Sequence, residues 1–543
     1  MMQNIGQLAL SRLLNPMAIP IAGVLLSGCA TTRMGVDAPD VPQFAFEQHE
    51  IVTGTVEHQT VLTGFFLGGT MAEIAVLHLD EDGSRRLRLF AFGDSGWVPK
   101  LDTKLRRGVS FVDVARIGGR DRLITHEPGR LNWFDPESGK ERPLLDVALD
   151  YRPPRDGNLP RVDITRDLTG DGSDDIVVPA ANGFWVFVQT GDGTFADGVK
   201  LGPPEPFLDA IAMDDSRTYG EVGLNPLTIP WYLNRIRQMD HNRDGRIDLV
   251  FWNGDHFDVY HQNEQGLFDS QAKSFTTDVP FDSDGAYSLV FGFTGKSPWS
   301  LLLGLRRRTE LTVLQTITDM NGDGIADMVT HTLTGRSPLK MRSRYRVYFG
   351  HGSENEIRFS ANANTAAFPG GKSGGAESGG YSSLWLKDMD GDGKTDIVRG
   401  DIRLSVVTML RVLVARSLVM KLECFRMEGD AFPAKPDARR SAKANFDIRG
   451  ENRGFYPSVL LGDMTGDNRT DVVVGKNRGA LYFFPGLPAP DLLAAEPQII
   501  EVDVPGNETQ SRLADLNGDG KQDLLLHHAS ATKPNRVILL ISR

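Results

Sequence analysis

The sequence is poor in cysteine and in positive charge. Only Cys29 and Cys424 occur among 543 residues, so a framework of several disulfide bonds cannot hold the fold together. Lysine and arginine number 59 against 71 aspartates and glutamates, which gives a formal net charge of −12. Proteins that bind nucleic acid need basic stripes, so this balance disfavours nucleic acid as a partner.

The sequence also lacks the short motifs of common enzyme classes. It has no nucleophile elbow, no phosphate-binding loop and no recognisable zinc-ligand spacing. The N-terminal apolar stretch Leu13–Leu26 is interrupted by Asn15, Pro16 and Pro20. It is shorter than the about 20 apolar residues of a membrane-spanning helix, so a membrane span is not expected.

A nine-residue acidic motif occurs six times between Asp167 and Asp523. Each copy has Asp at the first, fifth and ninth places, an oxygen-bearing residue at the third, and Gly or Asn at the sixth. Given as the first, third, fifth, seventh and ninth residues, the copies are Asp167, Thr169, Asp171, Ser173, Asp175; Asp240, Asn242, Asp244, Arg246, Asp248; Asp319, Asn321, Asp323, Ile325, Asp327; Asp388, Asp390, Asp392, Lys394, Asp396; Asp463, Thr465, Asp467, Arg469, Asp471; and Asp515, Asn517, Asp519, Lys521, Asp523.

The spacing of oxygen atoms in this motif predicts a calcium loop. Ca²⁺ takes six to eight oxygen ligands in a flexible shell. Side chains at the first, third, fifth and ninth places and the backbone carbonyl of the seventh supply such a shell, and the sixth place provides a turn with positive φ. We therefore expect up to six Ca²⁺ sites. Mg²⁺ fits less well because it requires a rigid octahedron, and metal-free Asp/Asn-Gly turns are the alternative.

The motif matches only the first nine places of an EF-hand loop. An EF-hand has a bidentate Glu at the twelfth place, where the six copies have Val178, Phe251, Thr330, Arg399, Val474 and Leu526. The ninth Asp instead begins β-branched or apolar runs such as Val472–Val474, which are typical of buried strands. The motif therefore joins two strands.

The motif lies within a unit of about 60 residues, which predicts an all-β propeller of four-stranded blades. In each unit strand A leads into the acidic loop, and strands B, C and D follow. Two further B strands, Glu73–Leu77 and Asp121–Thr125, follow glycine pairs upstream, which makes eight blades, with seven as the alternative. The last unit lacks a D strand, and a strand near Gln43–Ile51 is expected to complete it and close the ring.

These repeats resemble the FG-GAP/VCBS family, the calcium-looped propeller blades also found in the head domains of integrin α-subunits. The resemblance is strong from about residue 160 and weak before it. It implies calcium sites in the A–B loops and binding or adhesion outside the cytoplasm. The family also includes catalytic relatives that resemble rhamnogalacturonan lyases, so the resemblance does not imply one activity.

The segment Leu26-Ser27-Gly28-Cys29 resembles the lipobox of bacterial lipoproteins. The resemblance implies a signal peptide over residues 1–28, a lipidated tether over 29–45 that begins with acylated Cys29, and a propeller over 46–543. An ordinary cleaved signal is the alternative. Ala30 follows the cysteine, which implies an outer-membrane location in a bacterial envelope. The membrane would then be contacted through the lipid alone, and Cys424 would have no disulfide partner.

Four long departures from the repeat lie at residues 199–234, 270–313, 360–383 and 400–418. All four are D–A or B–C connections, so they should lie on the face opposite the acidic loops, where a binding surface is expected. A cap over the central channel is the alternative. The candidate ligand-binding residues there are Trp231, Tyr232, Trp299 and Tyr381, although core packing is the more common role of such residues. Residues 404–418 are expected to form a short helix buried against the ring.

Taken together, these features predict a monomeric, non-enzymatic envelope lipoprotein that Ca²⁺ stabilises. It would bind a polysaccharide, or an envelope or extracellular protein, as an adhesion or scaffold module. The alternative is a polysaccharide-degrading enzyme of the lyase type, which would need a Lys, Arg, His or Tyr base beside an acidic sugar.

Overall fold

Strands form nearly all of the regular structure in the computed structural model. The chain divides into Met1–Asp40 and Val41–Arg543, and the description covers the second part. Within it, residues 57, 150, 153–158, 181, 203–220, 223–224, 227–234, 283, 285–309, 335–341, 354–355, 368–379, 404–410, 412–413, 446–457, 507–509 and 531–532 are not described. Among the described residues, no helix combines the length and the hydropathy that crossing a membrane requires.

Eight four-stranded antiparallel sheets make up an eight-bladed β-propeller. Blades 1 to 4 consist of β2 (Thr60–Gly64), β3 (Glu73–Leu79), β4 (Arg85–Gly93) and β5 (Gly96–Lys104); β6 (Phe111–Ile117), β7 (Arg120–Glu127), β8 (Arg130–Asp135) and β9 (Lys140–Asp146); β11 (Thr165–Arg166), β12 (Asp175–Ala180), β13 (Gly183–Phe187) and β14 (Val199–Leu201); and β17 (Arg237–Met239), β18 (Asp248–Trp252), β19 (Phe257–Tyr260) and β20 (Lys273–Phe275).

Blades 5 to 8 continue the same strand order. They consist of β21 (Glu310–Thr318), β22 (Asp327–Thr334), β23 (Arg342–Tyr348) and β26 (Thr365–Ala367); β27 (Gly380–Lys387), β28 (Asp396–Arg403), β29 (Ser417–Phe425) and β30 (Ala438–Asn445); β31 (Val459–Gly462), β32 (Asp471–Asn477), β33 (Ala480–Phe484) and β34 (Gln498–Glu501); and β35 (Ser511–Ala514), β36 (Asp523–His528), β37 (Asn535–Ser542) and β1 (Phe46–Gly54). The prediction of eight blades is confirmed.

The N-terminal strand β1 closes the ring as the fourth strand of blade 8. It pairs antiparallel with β37, from Phe46 opposite Ser542 to Gly54 opposite Asn535. Ile51 on this strand joins the apolar cluster that contains Ile74 of blade 1 and Leu525 of blade 8. The first and last strands of the described chain thus share one sheet, and the C-terminal strand has no exposed edge.

The hydrophobic core lies between neighbouring blades. Strand B of each blade is covered on both faces, and in β12 every residue from Asp175 to Ala180 is buried. Strand D alternates instead, as in β30, where Ala438, Ala442 and Ala444 are buried between exposed or half-buried residues. This difference explains the continuous apolar runs after the acidic motifs, because a strand with two covered faces does not alternate.

Two small sheets were not predicted. Strand β10 (Tyr151–Arg152) in the connection from blade 2 to blade 3 pairs with β15 (Glu221–Val222), which pairs with β16 (Asn225–Pro226) in the next connection. Strands β24 (Gly350–Ser353) and β25 (Glu356–Phe359) form a hairpin between strands C and D of blade 5. Strand D of that blade therefore begins later than the repeat suggested.

The predicted helix at residues 404–418 lies mostly outside the described residues. Arg411, Val414 and Ala415 are described and are helical, as predicted, and the helix ends before β29 begins at Ser417. Val414 is 81% exposed, so the predicted burial of this residue against the ring is wrong.

Ring closure can be tested with two neighbouring residues of β1. Ile51 is 3% exposed and Val52 is 60% exposed. We expect Ile51→Ala to lower the free energy of unfolding by about 2–5 kcal/mol, as is usual for a truncated core isoleucine. The control, Val52→Ala, should change it by about 0.5 kcal/mol or less. Urea unfolding measures both, and equal effects would contradict the packing of β1 in the closed ring.

Candidate metal centres

The six acidic loops connect strands A and B of blades 3 to 8. Since consecutive strands are antiparallel, these loops share one face of the ring with the C–D turns. The D–A and B–C connections begin and end at the opposite face. The predicted departures at 270–313 and 360–383 begin too early, because residues 270–272 and 360–364 precede strand D and belong to the C–D side. For the connections themselves, the strand order confirms that they begin and end on the face opposite the acidic loops.

The first Asp of each motif folds the loop around its own carboxylate. In blade 5, Asp319 accepts hydrogen bonds from the backbone amides of Gly322 at 2.7 Å and Gly324 at 2.8 Å. The sixth place has positive φ in all six copies, including 63° at Asn468, as predicted. The fourth place also has positive φ, which the prediction missed. Five copies have Gly there, and Arg243 of blade 4 adopts a φ of 59°.

The ninth Asp ties the A–B loop to the end of strand C on the same face of the ring. Asp327 accepts hydrogen bonds from the amide of Met320 at 2.9 Å and from the amide of Gly350, just after strand C, at 2.9 Å. All six copies make the same pair of bonds. The sequence suggested a calcium ligand at this place, and the structure shows that this carboxylate also has a structural role.

The ninth carboxylates are buried, and burial raises their pKa. The pKa rises to about 7 for Asp175, Asp327 and Asp396 and to about 6 for Asp471 and Asp523, against the opposing effect of the backbone amides. Burial also raises the pKa of Asp248. Ionisation at these places is therefore less favourable than for an exposed aspartate, and a nearby positive charge would offset the difference.

Blade 1 keeps the loop half of this tie although it lacks the acidic loop. Glu73 takes the place of the ninth Asp, because it pairs with Gly64 as Asp471 pairs with Gly462. It is 2% exposed, and its Oε2 accepts a hydrogen bond from the amide of Leu67 at 2.9 Å. The tie therefore does not require the other acidic residues of the motif.

The first, third and fifth carboxylates converge in blade 6. Asp388, Asp390 and Asp392 each offer an oxygen atom within 4.8 Å of the others. The side chain of Asp390 is 4% exposed, and its Oδ1 has no hydrogen-bond partner. In blade 3 the hydroxyl of Thr169, also at the third place, is buried without a partner. Unpartnered buried oxygen atoms at the third place fit a loop that holds a cation.

Arginine side chains lie beside some of these carboxylates. In blade 6, Arg426 donates to Oδ2 of Asp390 at 2.5 Å and to Oδ2 of Asp392 at 2.7 Å. In blades 4 and 7 the arginine at the seventh place pairs with the fifth Asp of its own loop. These cations partly balance the acidic loops.

Some neighbouring loops are linked by backbone hydrogen bonds. In blades 6, 7 and 8 the eighth residue of the motif donates its amide to a carbonyl at the start of the preceding motif. Thr395 donates its amide to Met320 at 2.9 Å, and Gln522 donates to Asp463 at 2.7 Å. Ala72 of blade 1 continues the series with a 2.7 Å bond to Leu516 of blade 8. A change in one loop therefore acts directly on the next blade.

The other predicted site residues lie largely outside the described residues. Cys29, Trp231, Tyr232 and Trp299 all fall there. The backbone of Tyr381 lies in β27, the A strand of blade 6, so this residue belongs to a strand and not to a loop. No binding role for these residues follows from the structure.

No protein-family model matches the chain, and no curated protein matches it. Similar solved structures include the biofilm matrix protein Bap1 of V. cholerae, with 11% identity, 90% of this chain and 88% of that chain covered, and a TM-score of 0.31. They also include the Dos1 propeller, with 9% identity, 91% of this chain and 93% of that chain covered, and a TM-score of 0.35. Rhamnogalacturonan lyase YesW has 12% identity, with 65% of this chain and 57% of that chain covered and a TM-score of 0.24. Likenesses this low carry no argument about function, and the FG-GAP/VCBS resemblance stays a prediction.

The structural role of the ninth carboxylate can be tested without metal. In EGTA at pH 5, below the raised pKa of about 6 of Asp523, Asp523→Ala should lower the free energy of unfolding by about 1–3 kcal/mol, because buried backbone amides lose their acceptor. Glu73→Ala in blade 1 should also lower it, because the amide of Leu67 loses its acceptor.

The matched control is Asp519→Ala, at an exposed residue of the same loop, for which we expect a change of about 0.5 kcal/mol or less. Urea unfolding measures all three variants. If Asp523→Ala were as mild as the control, the tie between loop and strand C would not be important for stability.

Proposed function

We propose that the acidic loops of blades 3 to 8 bind Ca²⁺ and that the chain is a calcium-stabilised binding module. The observation that carries the proposal is the convergence of Asp388, Asp390 and Asp392, with the Oδ1 atom of Asp390 buried and unpartnered. Oxygen donors of this kind suit Ca²⁺, and the other five loops repeat the same spacing with Asn or Thr at the third place.

A bound cation would offset the charge that the loops concentrate. Converging carboxylates repel one another and disfavour their own ionised forms. Arg426 contacts the Oδ2 atoms of Asp390 and Asp392, and this arrangement leaves Oδ1 of Asp390 for the ion. Several Ca²⁺ ions would also reduce the formal net charge of −12.

The binding role assigned to the opposite face rests on the topology of the chain. The long D–A and B–C connections begin and end there, and connections on a rigid scaffold commonly carry binding residues. The ligand in this proposal is a polysaccharide or an envelope protein. Lipidation at Cys29 would hold the module at the outer membrane of a bacterial envelope.

Calcium binding can be tested with one loop variant and one control. Ca²⁺ should raise the melting temperature of the wild-type chain, because ligand at about 100 times its Kd adds about 2.7 kcal/mol of stability per site. Asp390→Ala removes the third-place oxygen and should lower the number of bound Ca²⁺ ions by one in equilibrium dialysis. The control Asp269→Ala, at an exposed residue outside the motifs, should bind as many ions as wild type. A melting temperature indifferent to both Ca²⁺ and EGTA would contradict the proposal.

The binding role requires a separate experiment. The chain without its signal segment (residues 1–28) should bind to a polysaccharide array, or cross-link to an envelope protein, in the presence of Ca²⁺ and not in EGTA. The same polysaccharides should show no new ultraviolet absorbance from unsaturated uronates after incubation. Appearance of that absorbance would instead support the lyase alternative.

A further inference from the structure

Blade 4 has histidine at two places that are apolar in most other blades. His241 is the second residue of its motif, where the other five copies have Leu168, Met320, Met389, Met464 and Leu516. Each ninth Asp accepts hydrogen bonds from backbone amides of the loop and from one at the end of strand C, and His261 immediately precedes the latter amide. The other five acidic blades have Val188, Phe349, Arg426, Pro485 and Ile541 at this place. Only blade 4 replaces both residues with imidazoles.

The two histidines face the ninth Asp of their own blade. Donor atoms of His241, Asp248 and His261 all lie within 4.8 Å of one another. Nε2 of His261 is 3.9 Å from Oδ2 of Asp248. The rings of His241 and His261 lie with their centroids 5.7 Å apart, and Phe275 stacks on His241 at 4.8 Å. Strand pairing brings Asp248 and His261 together, because their chain neighbours Leu249 and Tyr260 lie opposite each other in the sheet.

The buried imidazole nitrogens lack hydrogen-bond partners. His241 is 6% exposed, and neither of its ring nitrogens has a partner. Nε2 of His261 also has none. Leaving a buried polar atom unpaired costs about 1–3 kcal/mol. Three such atoms around one carboxylate therefore require an explanation, and a shared ligand provides one.

We propose that His241, Asp248 and His261 form a site for a divalent transition metal of the Zn²⁺ type. Two imidazoles and one carboxylate are a donor set that suits Zn²⁺, with water as a fourth ligand. Ca²⁺ takes oxygen ligands and does not favour imidazole. The site is therefore chemically distinct from the acidic loop of the same blade, although Asp248 belongs to both.

Metal binding requires only side-chain adjustments. Donor atoms around tetrahedral Zn²⁺ stand about 3.3 Å apart, so the 3.9 Å between His261 and Asp248 must shorten slightly. Nζ of Lys273 lies 3.2 Å from Nδ1 of His261. If Nε2 binds the metal, Nδ1 carries the proton, and Lys273 must move away. Lys273 is exposed, so this movement is open to it.

Co²⁺ is a suitable probe, because tetrahedral Co²⁺ absorbs visible light and competes with Zn²⁺. The tag-free chain, held in excess Ca²⁺ to fill the acidic loops, should bind one equivalent of Co²⁺ with a tetrahedral spectrum that Zn²⁺ abolishes. His241→Leu introduces the residue that blades 3 and 8 have at this place, so it should fold. We expect it to weaken Co²⁺ binding at least tenfold.

Two more variants separate a lost ligand from a damaged blade. His261→Val introduces the residue of blade 3 and should also lose the spectrum. The control His256→Gln changes a histidine in the B–C turn of the same blade, where it pairs with Asp255, and should retain it. Lys273→Ala should strengthen Co²⁺ binding severalfold.

Three results would overturn the proposal. The first is the absence of a tetrahedral spectrum in the wild-type chain. The second is a spectrum that both His241→Leu and His261→Val retain, and the third is a Co²⁺ spectrum that Zn²⁺ does not abolish. Because the experiment is done in excess Ca²⁺, its failure would leave the calcium proposal for the acidic loops standing.

Discussion

The buried carboxylate at the start of strand B is the interaction on which the blades depend. It accepts one backbone hydrogen bond from the A–B loop and, in six blades, another from a residue at the end of strand C or two residues beyond it. Strands A, B and C are thereby fixed at one end, where a hairpin would otherwise fray. Blade 1 achieves part of this with Glu73, which shows that the carboxylate has a structural role wherever it occurs. The six repeated aspartates thus define the architecture before any metal is considered.

This interaction also has a cost that explains the rest of the loop. Burial raises the pKa of the ninth aspartates, so their ionised forms are disfavoured near neutral pH. The first, third and fifth residues add further negative charge. Arg426 supplies a nearby positive charge in blade 6, and the seventh-place arginines supply it in blades 4 and 7. A cation bound among the loop oxygens would act in the same direction with a larger charge.

The sequence allowed most of the ring to be predicted, because each blade repeats the same local pattern. The motif marked the A–B loops, the apolar runs marked strand B, and the incomplete last unit required β1. The missed features depend on contacts between distant residues. Tyr151 pairs with Val222 across two different connections, and a repeat pattern contains no information about such a pairing. The positive φ of the fourth place was visible as five glycines in six copies.

The histidine pair shows why a site can escape a search for spaced motifs. His241 precedes Asp248 by seven residues and His261 follows it by thirteen, and neither spacing is typical of a metal-binding sequence. The ninth carboxylate joins the loop to the end of strand C in every acidic blade, which brings the second residue of the motif near the residue before that amide. In blades 3, 5 and 8 both residues belong to one apolar cluster. In most blades the two are apolar and extend the core. Replacing both with imidazole changes this contact from apolar packing to a set of metal donors without altering the backbone that holds it.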